Sequence, residues 1–114
     1  IRLMKTETTE SVKNVPNEIR ISGIPAQPIK TGNPLNANTG VSVHGPNGST
    51  FPNEFINWEV SSQPASNMTA IKTGTQFARI HLPSVQRSYN VTVTATVHNY
   101  PNLKAITTFA VNAV

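Results

Sequence analysis

Five glutamates and three histidines are the groups in this chain with proton affinities suited to acid–base work, since aspartate and cysteine are both absent. Their spacing does not suit it. A carboxylate pair would have to use Glu54 and Glu59, which lie five residues apart on an expected strand and so point to opposite faces. Both are read as solvated polar positions. His44, His81 and His98 are far apart in sequence, whereas zinc needs three or four converging ligands. Calcium sites draw on clustered Asp and Asn oxygens, and a chain without Asp is a poor source of them. Ser61 and Ser62 have no positioned base to activate a hydroxyl. The chain is therefore expected to be no enzyme, with no catalytic residue, no metal and no cofactor.

Two covalent modifications have the right residue types. Lys30, Glu59 and Asn112 occur in the order needed for a Lys–Asn isopeptide bond with a carboxylate proton shuttle. Against it, Glu59 is outward if Trp58 is inward, and burying an unpaired lysine is costly. Asn47, Asn67 and Asn90 open Asn-x-Ser/Thr triplets, but 13 Asn and 23 Ser plus Thr in 114 residues give about 2.6 such triplets by chance. Three carry no information.

Charge narrows the partners. Nine Lys and Arg against five Glu give +4 and a pI near 9.9. The positives are scattered from Arg2 to Lys104, without the basic stripe and interleaved aromatics of a nucleic-acid binder, so none is expected to bind. No apolar run approaches the ~20 residues of a membrane span, and no membrane insertion is expected. Thirteen Asn and 14 Thr supply the polar surface instead, a composition common on extracellular β-modules. The numbering opens on Ile1, which suggests a processed chain or a domain cut from something longer.

The elements that would carry these side chains are strands. Tyr89, Val91, Val93, Ala95 and Val97 alternate with Asn90, Thr92, Thr94 and Thr96, the period of a strand with one buried face. Ile56, Trp58 and Val60 alternate with Asn57 and Glu59 in the same way. Leu35, Ala37, Thr39, Val41 and Val43 share one face of another strand. A first strand is expected at Glu18 to Ile24, then a proline-broken stretch with a short edge piece at Ile29, suited to a strand that crosses between sheets. Asn67 to Ile71, Phe77 to Leu82 and Leu103 to Val114 complete seven strands, with turns at Lys72-Thr73-Gly74 and at His98 to Asn102. In the last strand both faces are apolar, so Thr107, Phe109 and Val111 compete with Ile106, Thr108 and Ala110, and a bulge would fit. Residues 1–17 follow no clean pattern and read as an arm or linker, and residues 18–114 as a single all-β sandwich.

The segments Ile56-Asn57-Trp58-Glu59-Val60-Ser61-Ser62 and Val91-Thr92-Val93-Thr94-Ala95-Thr96 resemble bacterial immunoglobulin-like domains, the group found in intimins, invasins and phage virion proteins. The resemblance covers about residues 18–114, although Val43 to Glu54 is longer than that pattern and Arg87-Ser88 stands where a glycine is common. It implies an immunoglobulin-like β-sandwich without a disulfide, with Val91 at the position of a disulfide cysteine. Trp58, Tyr89 and Val91 are then core markers, with the Tyr89 hydroxyl capping nearby backbone. The function implied is a non-catalytic structural or adhesive module of a surface or virion assembly: adhesin, filament subunit or decoration domain. Its partners would be neighbouring copies or domains, a host-surface protein or a glycan, outside the cell.

An alternative is a carbohydrate-binding sandwich attached to an enzyme, which calls for a row of exposed aromatics. Among seven aromatics, Phe51 and Tyr100 lie in expected loops beside proline and are the binding candidates. Ile1, Leu3 and Met4 are the apolar residues of an arm that could augment the sheet of a neighbouring subunit.

Overall fold

The computed structural model describes residues 14–114, which form eight strands in two sheets. These are β1 (Glu18–Ile21), β2 (Gln27–Ile29), β3 (Leu35–His44), β4 (Ile56–Gln63), β5 (Thr69–Gly74), β6 (Phe77–Leu82), β7 (Tyr89–Val97) and β8 (Tyr100–Ala113). One sheet has the order β1-β3-β6-β5 and the other β2-β8-β7-β4. Every ladder is antiparallel except β2 with β8.

Period-two alternation places the core as expected. Leu35, Ala37, Thr39, Val41 and Val43 are buried along β3, and Val91, Val93, Ala95 and Val97 along β7. The ambiguity in β8 resolves toward Phe109 and Val111, which are buried, while Ile106 is 62% exposed on the outer face. The core divides into a larger cluster around Leu35, Ile80, Val91 and Val111 and a smaller one of Val41, Val43, Ile56, Ala95 and Val97. Trp58 and Ile21 pack against both. Trp58 is half-buried and stitches the two clusters together from the margin of its sheet. Without a disulfide, such side-chain contacts are what hold the sheets face to face.

The first strand switches sheets. β1 ends at Ile21, and after Pro25 the chain resumes as β2 beside β8, so eight strands appear where seven were expected. The β2 end is fastened by Val114 N–H donating to Ile29 O at 2.9 Å and Thr31 N–H to Val114 O at 3.1 Å.

Three local expectations are corrected. The glycine at 74 does not make the β5–β6 turn; β5 continues through Gly74 with a register shift, and Thr75-Gln76 form the turn. Tertiary bonds to Gln76 outweigh the glycine signal: its buried amide donates to Phe51 O at 2.7 Å and Glu54 O at 3.2 Å. β8 begins at Tyr100 rather than Leu103, leaving only His98-Asn99 as the turn, with an irregularity opposite Thr96 and Val97. Pro101 is tolerated there because β2 borders β8 only at Val111 to Ala113, so the missing N–H removes no ladder bond on that side. Lastly, the Tyr89 hydroxyl finds no backbone acceptor among the described residues. The corner before β7 is closed by fully buried Val85, whose N–H donates to Asn33 O and whose carbonyl accepts from Gly32 N–H, both at 2.8 Å.

Registers fix two poles. Glu18 faces His44, and the loop from His44 leads to Ile56, which faces Val97 beside Tyr100. At the other pole Leu35 faces Leu82, whose loop leads to Tyr89, and Tyr89 faces Val111 near the last residue. The chain enters the sandwich at one pole and leaves it at the other.

Candidate functional site

At the entry pole the loop from Gly45 to Phe55 is folded inward. A turn at Pro46–Gly48 places Asn47 at φ 58° and Gly48 at φ 77°, a left-handed pair that asparagine and glycine accept. Gly45 is enclosed: a Cβ there would lie 2.6 Å from the Phe51 ring, 2.7 Å from Val15 O and 2.9 Å from Ser49 Oγ. Phe51 is half-buried against the smaller core cluster, its N–H donating to Val43 O at 2.9 Å. Its proline-flanked position suggested display; Phe51 instead plugs the pole. Tyr100 is also half-buried against that cluster, but it borders a groove of about 490 Å³ with Pro16, Asn17, Asn99, Pro101 and Leu103. Pro16 is buried, and Asn17 N–H donates to His44 O at 2.8 Å.

The aromatics that do face water escaped the sequence reading. Phe55 and Phe77 are each 57% exposed. Phe55 lies under the Lys72 ammonium, 5.0 Å from its ring centroid. The Phe77 ring passes over Gly40, its cross-strand partner, where a Cβ would meet it at 2.6 Å. The clue was in the pairing, because a strand glycine leaves a gap that an opposite aromatic can cover.

The second sheet presents a polar outer face. Rows run Asn57–Thr96–Lys104, Glu59–Thr94–Ile106 and Ser61–Thr92–Thr108 across β4, β7 and β8. Glu59, Ser61, Thr92 and Thr94 border a shallow groove of about 280 Å³. No aromatic side chain lies in these rows, so the face lacks the stacking platform a sugar-binding sheet uses.

β4 is the free margin of this sheet, since among the described residues only β7 pairs with it. His98 N–H donates to Phe55 O at 2.9 Å, which makes that facing pair a hydrogen-bonded one in the β4–β7 register. Antiparallel ladders alternate. Asn57, Glu59, Ser61 and Gln63 therefore bond to β7, while Ile56, Trp58, Val60 and Ser62 turn their N–H and C=O groups to the open side. The Trp58 indole Nε1 and Glu54 Oε1 are buried without a partner among the described residues.

The remaining chemistry is dispersed. His44 bonds Ser42 Oγ at 2.8 Å, His81 bonds Asn36 Oδ1 at 2.9 Å, and His98 meets Asn57 Nδ2 at 3.1 Å. No cluster of three or more metal-ligating side chains occurs among the described residues. Glu54 precedes β4 instead of lying on it and is half-buried, so it is not the solvated strand polar that was expected. Lys30, Glu59 and Asn112 are exposed; Asn112 pairs with Pro28 beside Lys30, but Glu59 is two strands away across β7. Glu59 also lies in the row of Ile106, six residues along β8 from Asn112, so about 10 Å across the sheet and about 20 Å along it remove the carboxylate from any Lys–Asn bond. Glu18 and Arg20 form the ion pair of β1, with Nε–Oε2 at 2.9 Å and a second contact at 3.1 Å. The Arg20 hydrogen bond holds the Glu18 carboxyl below its ordinary range and raises the guanidinium in return. Ile1, Leu3 and Met4 lie outside the described residues.

The two-sheet arrangement has solved counterparts. A chimeric titin Z1Z2 carrying an exogenous decorin peptide superposes with a TM-score of 0.59 at 12% identity, covering 88% of this chain and 97% of that one. The fold is immunoglobulin-like. Titin domains Z1Z2 in complex with telethonin give 0.58 at 12% identity, over 90% of this chain and 49% of that one. Titin M4 gives 0.58 at 10% identity, over 90% and 99%. No family model and no curated protein matches the sequence. At such identities the likeness concerns the sandwich alone.

Proposed function

We propose that this chain is a non-catalytic structural module of an extracellular assembly, a surface adhesin, a filament or a virion, linked in series with neighbouring copies or domains. The observation that carries the reading is the passage of the chain from one pole to the other, so that a load or a spacing is transmitted along the sandwich. The dispersion of the three histidines, each hydrogen-bonded to its own local partner, agrees with a scaffold role. The resemblance of the Trp58 and Val91 strands to bacterial immunoglobulin-like domains supports the extracellular setting, as does the Thr- and Asn-rich outer face. One titin neighbour is seen in complex with telethonin, which supports a protein rather than a small molecule as partner. Residues 1–17 serve as the arm or linker, and residues 18–114 as the module.

An antibody raised against the chain tests the setting. It is expected to label intact cells or particles that carry the full gene product. Labelling only after lysis would overturn the extracellular reading.

A further inference from the structure

The four sheet margins are not equally guarded. β1 is four residues long and β2 is three, with Pro28 at its centre; β5 carries a register shift between Lys72 and Gly74. Short strands, proline and bulges are the usual devices that stop an edge from pairing with another chain. β4 has none of them. It runs eight residues in unbroken register with β7, with no proline among them. Its open side offers the N–H and C=O groups of Ile56, Trp58, Val60 and Ser62, and its one charge is Glu59.

We propose that β4 of one copy accepts residues 1–8 of a second copy as an added antiparallel strand. The inference rests on the assembly reading above and supplies its contact. Three features select this occupant. The segment Ile-Arg-Leu-Met-Lys-Thr-Glu-Thr has no proline, so every position can donate to the ladder. Its length matches: antiparallel pairing that sets Lys5 opposite Glu59 places residue 1 beside Gln63 and residue 8 beside Ile56, covering all of β4. In that register Lys5 and Glu59 form a non-hydrogen-bonded pair, the kind with the closest side chains, and Met4 extends the apolar row at Val60.

Donation within one copy is obstructed by distance. The chain enters at β1, with Pro16 buried and Asn17 bonded to His44, whereas β4 lies at the opposite margin of the other sheet. An added strand beyond β4 lies four strand spacings and one sheet spacing from β1, about 22 Å in a straight line. The six Cα steps from residue 8 to residue 14 span at most about 20–22 Å when taut, which leaves no slack to arch over the loops of the pole. A neighbouring copy imposes no such limit, and a donated strand is a heterologous contact that adds copies in series unless the rotation closes a ring.

Sedimentation equilibrium of the full chain over rising concentration tests this. Association is expected, and removal of residues 1–8 is expected to abolish it. Lys5→Glu and Glu59→Lys should each weaken association roughly 3- to 10-fold by opposing like charges, and the double exchange should restore it. Val60→Pro, which removes an open-side N–H, should also abolish it; the charge exchange decides the matter if that variant does not fold. Three outcomes overturn the proposal: a chain monomeric at every concentration, association that survives loss of residues 1–8 (two β4 edges pairing directly), or a double exchange that fails to restore. None of these bears on the antibody experiment, so strand donation and the extracellular setting fail separately.

Discussion

The two margins of the second sheet are built in opposite ways. β2 is a three-residue strand with a central proline, pinned by the last residue of the chain through bonds to Ile29 and Thr31. β4 is eight residues of regular strand, anchored from inside by Trp58 and left open outside. Both are edges of the same sheet, yet one is closed by sequence and the other held straight by the core. An edge kept straight and unguarded is the one that can take a partner.

The largest effect expected is on the anchor. Trp58→Ala removes the side chain that packs against both core clusters and should destabilise the domain by about 3 kcal/mol or more, read by chemical denaturation. A smaller loss in which β4 keeps its exchange protection would break the comparison, because another contact would then hold that edge. Proline placed along β4 sharpens it next. Glu59→Pro deletes a ladder N–H and should destabilise clearly more than Val60→Pro, which deletes only an outward N–H. Equal losses in thermal melts would contradict the assignment of alternate residues to the two sides.

Gln76→Ala comes third. It unpairs the Glu54 carbonyl in the loop that leads into β4 and leaves Phe51 O only the 3.4 Å bond from Glu54 N–H, and a loss of about 1–3 kcal/mol is expected in the same melts. The smallest effect concerns the guarded first sheet. The folded-state affinity of Glu18 for its proton is depressed by Arg20, so the pair's contribution is present above the ordinary carboxylate range and is lost as pH falls through the depressed value. Both groups are exposed, so the stability change should be barely measurable. A titration of the Glu18 carboxyl by NMR should nonetheless show the depressed midpoint, and Arg20→Gln should return it to the ordinary range.

Much of the scaffold was legible because strands announce themselves by period two. The inward faces of β3 and β7 followed from alternation alone, and the sheet switch from Pro25 and Pro28. The surface was less legible. Phe51 and Tyr100 read as displayed loop aromatics from their proline neighbours, yet both rest on the small core cluster, while Phe55 and Phe77 face solvent. Local sequence reports whether a residue sits in a loop, and it carries no information on which way that loop folds. Gln76 shows the same limit from the other side, a polar residue beside a glycine that becomes buried because two distant carbonyls need its amide.

Sequence by itself determined the class of this molecule: alternation set the buried faces, prolines set the breaks, and the absence of Cys left no disulfide framework. Tertiary structure decided the rest. Which strand lies at a margin, and which of its backbone groups face outward, depends on pairings between residues as distant as Phe55 and His98. The reason is physical, since a strand's hydrogen-bonding capacity is the same wherever it lies and only its neighbours determine which side is left unused.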